Sequence, residues 1–297
     1  MSEGEQPVSG RERVTVPKTY KLHIGGTFPR SESGRVHAVE APDGRFLANA
    51  AMASRKDLRD AVSAARKGFE TWSAATARNR GQVLFRVAEM LEDRREQFAT
   101  VVADSEGVSR EQAEAAVDAA VDRVFWYAGW TDKLGTVLGG ANQVSGPHTS
   151  HSAPEPLGVV GVLAPRRSSL LGLVSALAPV IAVGNGAVVL VDRERPLPAV
   201  TLCEVLATSD VPGGVVNVLT GDVGELAPWL AAHADVNALD PSGAPEELRA
   251  ELERNASGTA KRVFDAPVAE PDWSRDPGLR RMRAFTGLKT VWHTLGT

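Results

Sequence analysis

Arg166 and Arg167 stand beside two serines in LGVVGVLAPRRSSLLGLVSALAP, at the turn between a strand-like run and an apolar, helix-like run. Guanidinium groups next to the first N–H groups of a helix can bind an anion or a carboxylate. Arg and Ser are also the residue types expected where a turn faces water. The sequence therefore raises two hypotheses for this turn: a contact with an anion or an acidic partner, and a solvent-exposed surface.

Other side chains with catalytic or metal-binding chemistry are few. Cys203 is the one cysteine of the 297 residues, which excludes an internal disulfide or a multi-cysteine metal site and favours a reducing compartment. Its position in a helix-like apolar run predicts a buried thiol and no nucleophile. His148 and His151 are three apart in a predicted strand and would face opposite sides, so we expect no metal site there. Serine-hydrolase elbows, Walker loops and CxxC pairs do not occur.

Composition and charge exclude several classes of protein. The chain is 43% hydrophobic and 24% charged with a formal net charge of −4, which does not suit a nucleic-acid binder. The uncharged run 168–185 is interrupted by glycines and a proline and predicts a buried helix, not a membrane span. The first residues lack the apolar core of a signal peptide. We therefore expect a cytoplasmic protein that binds neither nucleic acid nor membranes.

Three amphipathic helices precede the apolar run. The first begins at a capping box formed by Ser54 and Asp57, and the second spans about 79–105. The third starts at a second capping box at 109–112 and ends at Gly135. Before these helices, alternating apolar and turn residues predict short antiparallel strands.

From Leu157 the pattern changes to short apolar runs that alternate with helices. Single helices between successive strands require right-handed crossovers, and these predict an α/β fold with a doubly wound, mainly parallel five-stranded sheet. Ligands of such sheets bind beyond the carboxyl ends of the strands. The five predicted strands are LGVVGVLAP, GAVVLV, GVVNVLTG, DVNALD and AKRVF.

Both ends of the chain fall outside this alternation. Residues 1–20 predict a flexible arm, residues 265–283 a Pro- and Asp-rich linker, and residues 284–297 a final strand. An isolated terminal strand must pair with another strand, because its backbone donors and acceptors would otherwise stay open.

Residues 21–264 resemble the cofactor-binding, Rossmann-like half of the NAD(P)-dependent aldehyde dehydrogenase superfamily. The segments that carry the resemblance are KLHIGGTF, LRDAVSAARKGFETWSA, FWYAGWTDKLG, EPLGVVGVLAP, LAPVIAVGNGAVVL and DVPGGVVNVLTG. The tail 284–297 resembles the C-terminal oligomerisation strand of the family, and 142–156 resembles the hairpin of its oligomerisation arm. The catalytic domain, which carries the cysteine nucleophile, is missing between residue 264 and the tail.

The resemblance also implies a degraded cofactor site. Glu194, Gly221 and Gly224 match cofactor-binding positions, but Val191 replaces the family's ribose-binding lysine, and Asp240 would repel a pyrophosphate. NAD(P) binding is thus expected to be weakened, and no cofactor is certain. Arg167 stands where the family has the Asn that stabilises the oxyanion.

These features predict a catalytically inactive homologue, a pseudoenzyme that serves as a structural or regulatory subunit. The expected partner is a full-length aldehyde dehydrogenase or a second copy of the chain, and no catalytic residue is assigned. Leu288, Val291 and Trp292 of the tail, with Arg166 and Arg167, are the expected interface. Two alternatives stay open: an oxidoreductase completed by a partner's catalytic domain, and a dinucleotide-binding sensor.

Overall fold

The computed structural model describes residues 18–295. Most of the predicted N-terminal arm (1–20) and the last two residues of the predicted tail (284–297) lie outside the described residues. The arm therefore stays a prediction.

Helices make up a little less than half of the described chain, and they alternate with the strands of the main sheet after residue 157. In chain order the helices of residues 18–295 are α1 (Arg55–Ala74), α2 (Ala77–Asp93), α3 (Arg95–Glu106), α4 (Arg110–Trp130), α5 (Leu134–Leu138), α6 (Leu171–Ala182), α7 (Leu197–Ala207), α8 (Val223–Ala232), α9 (Glu246–Ser257) and α10 (Arg280–Ala284).

The strands form three separate sheets. In chain order they are β1 (Thr19–Tyr20), β2 (Val36–Glu40), β3 (Phe46–Ala51), β4 (Gly140–Asn142), β5 (His148–Pro156), β6 (Val159–Leu163), β7 (Gly186–Asp192), β8 (Val216–Gly221), β9 (Ala238–Asp240), β10 (Arg262–Val263) and β11 (Thr286–Thr294).

The main sheet is parallel and five-stranded, in the order β10-β9-β6-β7-β8. Its strands are the five apolar runs that the sequence predicts, so the doubly wound α/β fold is confirmed. Every residue of β6 is buried, as expected for a parallel strand with helices on both faces. Helix α6 is buried along its whole length, which explains why the run 168–185 carries no charge. Within residues 18–295, no helix combines the length and the apolarity that crossing a membrane requires.

The N-terminal helices follow the prediction in part. The capping box of Ser54 and Asp57 starts α1, and that of Ser109 and Gln112 starts α4. The predicted continuous helix 79–105 is wrong, because Arg94 leaves helical geometry between α2 and α3. The charged run around Arg94 offers no apolar side chain that would hold a continuous helix against the core.

Two smaller corrections concern the ends of elements. Helix α4 ends at Trp130 and not at Gly135, which lies inside α5. The N-terminal sheet has the order β1-β3-β2, and β2 and β3 are antiparallel as predicted. Strand β1 lies inside the predicted arm 1–20 and runs parallel to β3, whereas the predicted strand KLHIGGTF forms only isolated bridges.

The tail pairs with a hairpin of its own chain. Strand β11 is antiparallel to β5 from Thr286↔Pro156 to Thr294↔His148, and β4 pairs with the other edge of β5. Asn185 fixes the start of this strand, because its Nδ2 donates to the carbonyl oxygen of Phe285 at 2.9 Å. The predicted strand and the predicted hairpin thus form one three-stranded sheet.

Candidate functional site

The crevice at the carboxyl end of the main sheet lies between β6 and β9. The chain moves from β6 to β7 and β8 on one side and returns to β9 and β10 on the other, so this pair is the switch point where doubly wound sheets bind ligands. Residues 265–283, which we call the connector, cover this crevice. Trp273 and Met282 of the connector are buried, although the sequence predicted a plain linker.

Helix α6 allows the connector to approach closely. A Cβ atom at Gly172 would lie 3.1 Å from Nε1 of Trp273 and 2.9 Å from Cβ of Pro165. Any larger side chain at this position would push the indole away from the helix. The connector is therefore packed on the helix that follows the RRSS turn.

The RRSS turn holds a carboxylate of the connector. The backbone N–H groups of Arg167 and Ser168 donate to Glu270 at 2.9 and 3.0 Å, and the indole N–H of Trp273 donates to the same carboxylate at 2.9 Å. These N–H groups belong to the turn that precedes α6, whose N-cap is Leu170. The chain thus supplies its own anion to the RRSS turn.

A second carboxylate contacts the RRSS turn. Both the backbone N–H and the hydroxyl of Ser169 donate to Glu106 of α3, at 2.7 and 2.6 Å. Ser169 is buried, so the interpretation of the whole turn as solvent-exposed is wrong. The side chain of Arg167 is exposed, and in the described residues backbone groups, not the guanidinium groups, bind Glu270.

Arg166 pairs with the end of β7. Its guanidinium lies 3.7 Å from Asp192 and 3.6 Å from Glu194, the predicted ribose-binding glutamate. The Glu194 side chain is 64% exposed, so this ion pair is screened by water and contributes little to stability. The ion pair nevertheless places the guanidinium of Arg166 next to the carboxylate of Glu194, the group that would bind the ribose.

Asp240 is sequestered at the end of β9. Its carboxylate is fully buried and pairs with the guanidinium of Arg281 in α10, which also donates to Oγ of Ser242 at 2.8 Å. Arg281 lies over the rings of Phe264 and Trp273, at 4.4 and 5.1 Å from their centroids. The predicted repulsion between Asp240 and a pyrophosphate is therefore wrong, because Arg281 neutralises the carboxylate and fills the space beside it.

The predicted phosphate-facing glycines have local structural roles. Gly221 has φ +148°, and a Cβ there would lie 3.3 Å from the backbone nitrogen of Ala53. A Cβ at Gly224 would lie 3.1 Å from the carboxylate of Asp222. This carboxylate caps α8 by accepting from the backbone N–H of Glu225 at 3.1 Å. An acidic side chain thus occupies the helix end to which a phosphate would bind.

The residues around the crevice do not fit a dinucleotide. Glu270 occupies the turn before α6, Asp222 caps α8, and Arg281 fills the space beside Asp240. Val191, at the position of the family's lysine, is buried and has no side-chain donor. We therefore derive no chemical step through NAD(P).

Cys203 lies in the core, as the sequence predicts. It is fully buried in α7, and its Sγ donates to the carbonyl oxygen of Ala199 at 3.3 Å. Burial raises the pKa of the thiol well above its usual range, so the thiolate is disfavoured.

Within the part of the chain that the structure describes, the histidines and the acidic side chains form no metal centre. His148 and His151 face opposite sides of β5, and no cluster of three metal-ligating side chains exists in residues 18–295.

The predicted interface residues of the tail are exposed. Leu288 and Trp292 share one face of β11 and are 61% and 60% exposed, while Val291 is on the opposite face. The Trp292 ring lies edge-on to His148 at 6.3 Å. Arg166 and Arg167 lie in the RRSS turn and not in this sheet.

Sequence reasoning missed Glu270, Arg281 and Arg123, the residues that hold the connector in place. The available signal was the pair of large apolar side chains, Trp273 and Met282, inside a polar segment. Such side chains indicate burial and not a free linker.

Comparison with known proteins gives a consistent result. Residues 28–264 match the aldehyde dehydrogenase family. Cytosolic 10-formyltetrahydrofolate dehydrogenase of Mus musculus is 29% identical over 257 residues, which cover 85% of this chain and 28% of that protein. Mitochondrial benzaldehyde dehydrogenase of Antirrhinum majus is 30% identical over 247 residues, covering 82% and 46% respectively. The chain therefore spans less than half the length of these relatives.

Two solved structures also match most of this chain with about half of their own length. HpcC from Thermus thermophilus superposes with a TM-score of 0.78 at 27% identity, over 83% of this chain and 48% of that one. Betaine aldehyde dehydrogenase from Staphylococcus aureus, in a complex with NAD+, has a TM-score of 0.76 at 23% identity, over 82% and 49%.

Proposed function

Because this chain belongs to the aldehyde dehydrogenase family, we propose that it is a non-catalytic member that serves as a structural or regulatory subunit in the cytoplasm. Its partner is a full-length aldehyde dehydrogenase or a second copy of this chain. Different parts of the molecule support the non-catalytic role and the assembly.

The packing of the connector over the crevice supports the non-catalytic role. Glu270 occupies the backbone N–H groups of Arg167 and Ser168 in the RRSS turn, and Arg281 pairs with Asp240 on the other side of the switch point. A substrate or cofactor would have to displace both groups together with the packed indole of Trp273. Charge-assisted hydrogen bonds of this kind each contribute about 1.5–3 kcal/mol. A closed crevice is therefore the ground state of the molecule.

The lack of an available thiol supports the same conclusion. Oxidation of an aldehyde through a thiohemiacetal needs a thiolate that can reach the carbonyl carbon. Cys203 is the one cysteine of the sequence, and it is buried in a helix with a raised pKa. Catalysis through a partner's active site would leave this chain in a supporting role.

The sheet of β4, β5 and β11 supports assembly. Strand β11 pairs with β5 on one side, and the exposed side chains of Leu288 and Trp292 project from it. An edge strand with exposed apolar side chains favours pairing with another chain. A second copy of this sheet could pair symmetrically with it, and so could a related sheet in a full-length enzyme.

Native mass spectrometry tests the assembly. The purified chain is measured alone and after mixing with a full-length aldehyde dehydrogenase from the same cells. We expect a defined complex in one of the two samples and its loss in the Leu288→Glu and Trp292→Glu variants. The matched control, Val36→Glu, changes an exposed residue of β2 and should leave the complex intact. A monomer in both samples would contradict the proposal.

A further inference from the structure

A buried arginine without a carboxylate partner lies beneath the connector. Arg123 of α4 is 7% exposed. Its guanidinium donates to three neutral oxygens: Oγ of Ser175 at 2.7 Å and the carbonyl oxygens of Trp273 and Arg275 at 2.7 and 2.9 Å. No acidic side chain of residues 18–295 forms an ion pair with it, although the charge of Asp276 is felt there. A buried charge without a counter-ion is costly, so this position favours an anion.

A buried hydroxyl group without a partner lies close to this arginine. Tyr127 is one helical turn further along α4 and is fully buried, and its Oη has no hydrogen-bond partner. The charges that act on this hydroxyl are those of Arg281, Arg123, Asp240 and Asp276. Burial raises the pKa of Tyr127 to about 12, so the phenol keeps its proton at neutral pH and can donate a hydrogen bond.

Both side chains line one cavity between α4, α6 and the connector. The cavity has a volume of about 170 Å³. Phe264 and Trp273 supply apolar walls, and Arg275 lies at the exposed side.

The charges around this cavity are balanced in number but separated in position. Arg280 pairs with Asp265, and Arg281 pairs with Asp240. Arg123 and Arg275 form no ion pair within the described chain, and the lining carboxylates, Asp272 and Asp276, lie in the exposed part of the connector. The buried end of the cavity therefore presents a guanidinium and a phenol as donors.

We propose that this cavity binds a small oxyanion, such as a phosphate or carboxylate group, through Arg123 and Tyr127. Glu270 does not line the site, and the site exists only when the connector is packed in place, because Trp273 of the connector forms one of its walls. Binding of the anion therefore stabilises the closed connector. This inference does not depend on the subunit role proposed above.

Calorimetry and thermal unfolding of the complete chain test the site. Inorganic phosphate and acetate are titrated separately, with chloride at matched ionic strength as the reference. We expect saturable binding of one anion per chain and a rise in Tm with concentration. Tighter binding of phosphate would assign the site to phosphoryl groups, and tighter binding of acetate would assign it to carboxylates; either result supports the proposal.

Two variants decide whether the binding occurs at this cavity. Tyr127→Phe removes only the unpartnered hydroxyl and should weaken binding about tenfold or more, while Arg123→Met should abolish it. The control is Tyr20→Phe, which changes the other tyrosine of the chain, far from the cavity, and should bind as the wild type does. Should Arg123→Met fail to fold, Tyr127→Phe still carries the test. Lack of saturable binding of both anions, or unchanged binding by Tyr127→Phe, would overturn the proposal.

Discussion

The carboxylate of Glu270 accepts a hydrogen bond from the backbone N–H of Ser168 at 3.0 Å, across 102 positions of the sequence. This contact places an acidic side chain of the connector in the RRSS turn, between the first strand of the main sheet and α6.

Replacing Glu270 by Gln should loosen the connector. The amide keeps the shape of the side chain but loses the charge that the N–H groups of the turn stabilise, so we expect the free energy of unfolding to fall by about 1–2 kcal/mol. Backbone amides near Trp273 should exchange hydrogen faster. Urea unfolding and hydrogen exchange measure both effects. Glu253→Gln, at an exposed position of α9, is the control and should change neither. Equal exchange in the two variants would contradict a role of Glu270 in holding the connector.

Replacing Arg281 by Met should destabilise the fold by about 3–5 kcal/mol, because it leaves the carboxylate of Asp240 buried without a counter-ion. The double variant Asp240→Asn with Arg281→Met should recover much of this loss. Urea unfolding of the single and double variants measures the coupling. Arg283→Ala, an exposed residue of the same helix, is the control. Additive effects of the two substitutions would show that the pair is not coupled.

Cys203 should react slowly with a thiol reagent in the folded chain. Its Sγ is buried and its pKa is raised by burial, so neither access nor ionisation favours attack. In guanidinium chloride the same thiol should react at once. The absorbance of a disulfide-exchange reagent measures both rates. A fast reaction of the native chain would mean that the thiol is exposed and that the buried position is incorrect.

Stability should depend on pH through His23. Burial lowers the pKa of this ring to about 4 from about 6.5 in the unfolded chain. Protons therefore bind preferentially to the unfolded chain below pH 6.5, so stability is complete above about pH 6.5 and falls until about pH 4. This pKa shift corresponds to a change of about 3 kcal/mol in the free energy of unfolding. Urea unfolding between pH 4 and 8 measures it.

The variant His23→Leu should flatten this pH dependence between pH 4 and 6.5. His151→Leu changes an exposed ring of β5 and serves as the control, which should keep the slope. The same slope in His23→Leu as in the wild type would assign the pH dependence to other groups.

Local sequence patterns were sufficient to predict the main sheet. They did not predict that the connector covers its crevice. The five strands are continuous apolar runs, and Ser54 and Ser109 begin helices at capping boxes that short sequence spacing reveals. Glu270 and Arg281 act on partners 102 and 41 positions away, and residue type alone does not indicate such a partner. Asp240 shows the consequence. The sequence predicted that its carboxylate would repel a pyrophosphate, and this was wrong because Arg281 of the connector neutralises the carboxylate.

Turnover of cofactor by the purified chain tests the non-catalytic role most directly. The chain is incubated with NAD+ or NADP+ and a panel of aldehydes, and reduced cofactor is followed by its absorbance. We expect no aldehyde-dependent reduction, in the wild type and equally in Cys203→Ser. Aldehyde-dependent reduction that disappears in Cys203→Ser would show that the buried thiol is reached in solution and would contradict the non-catalytic role.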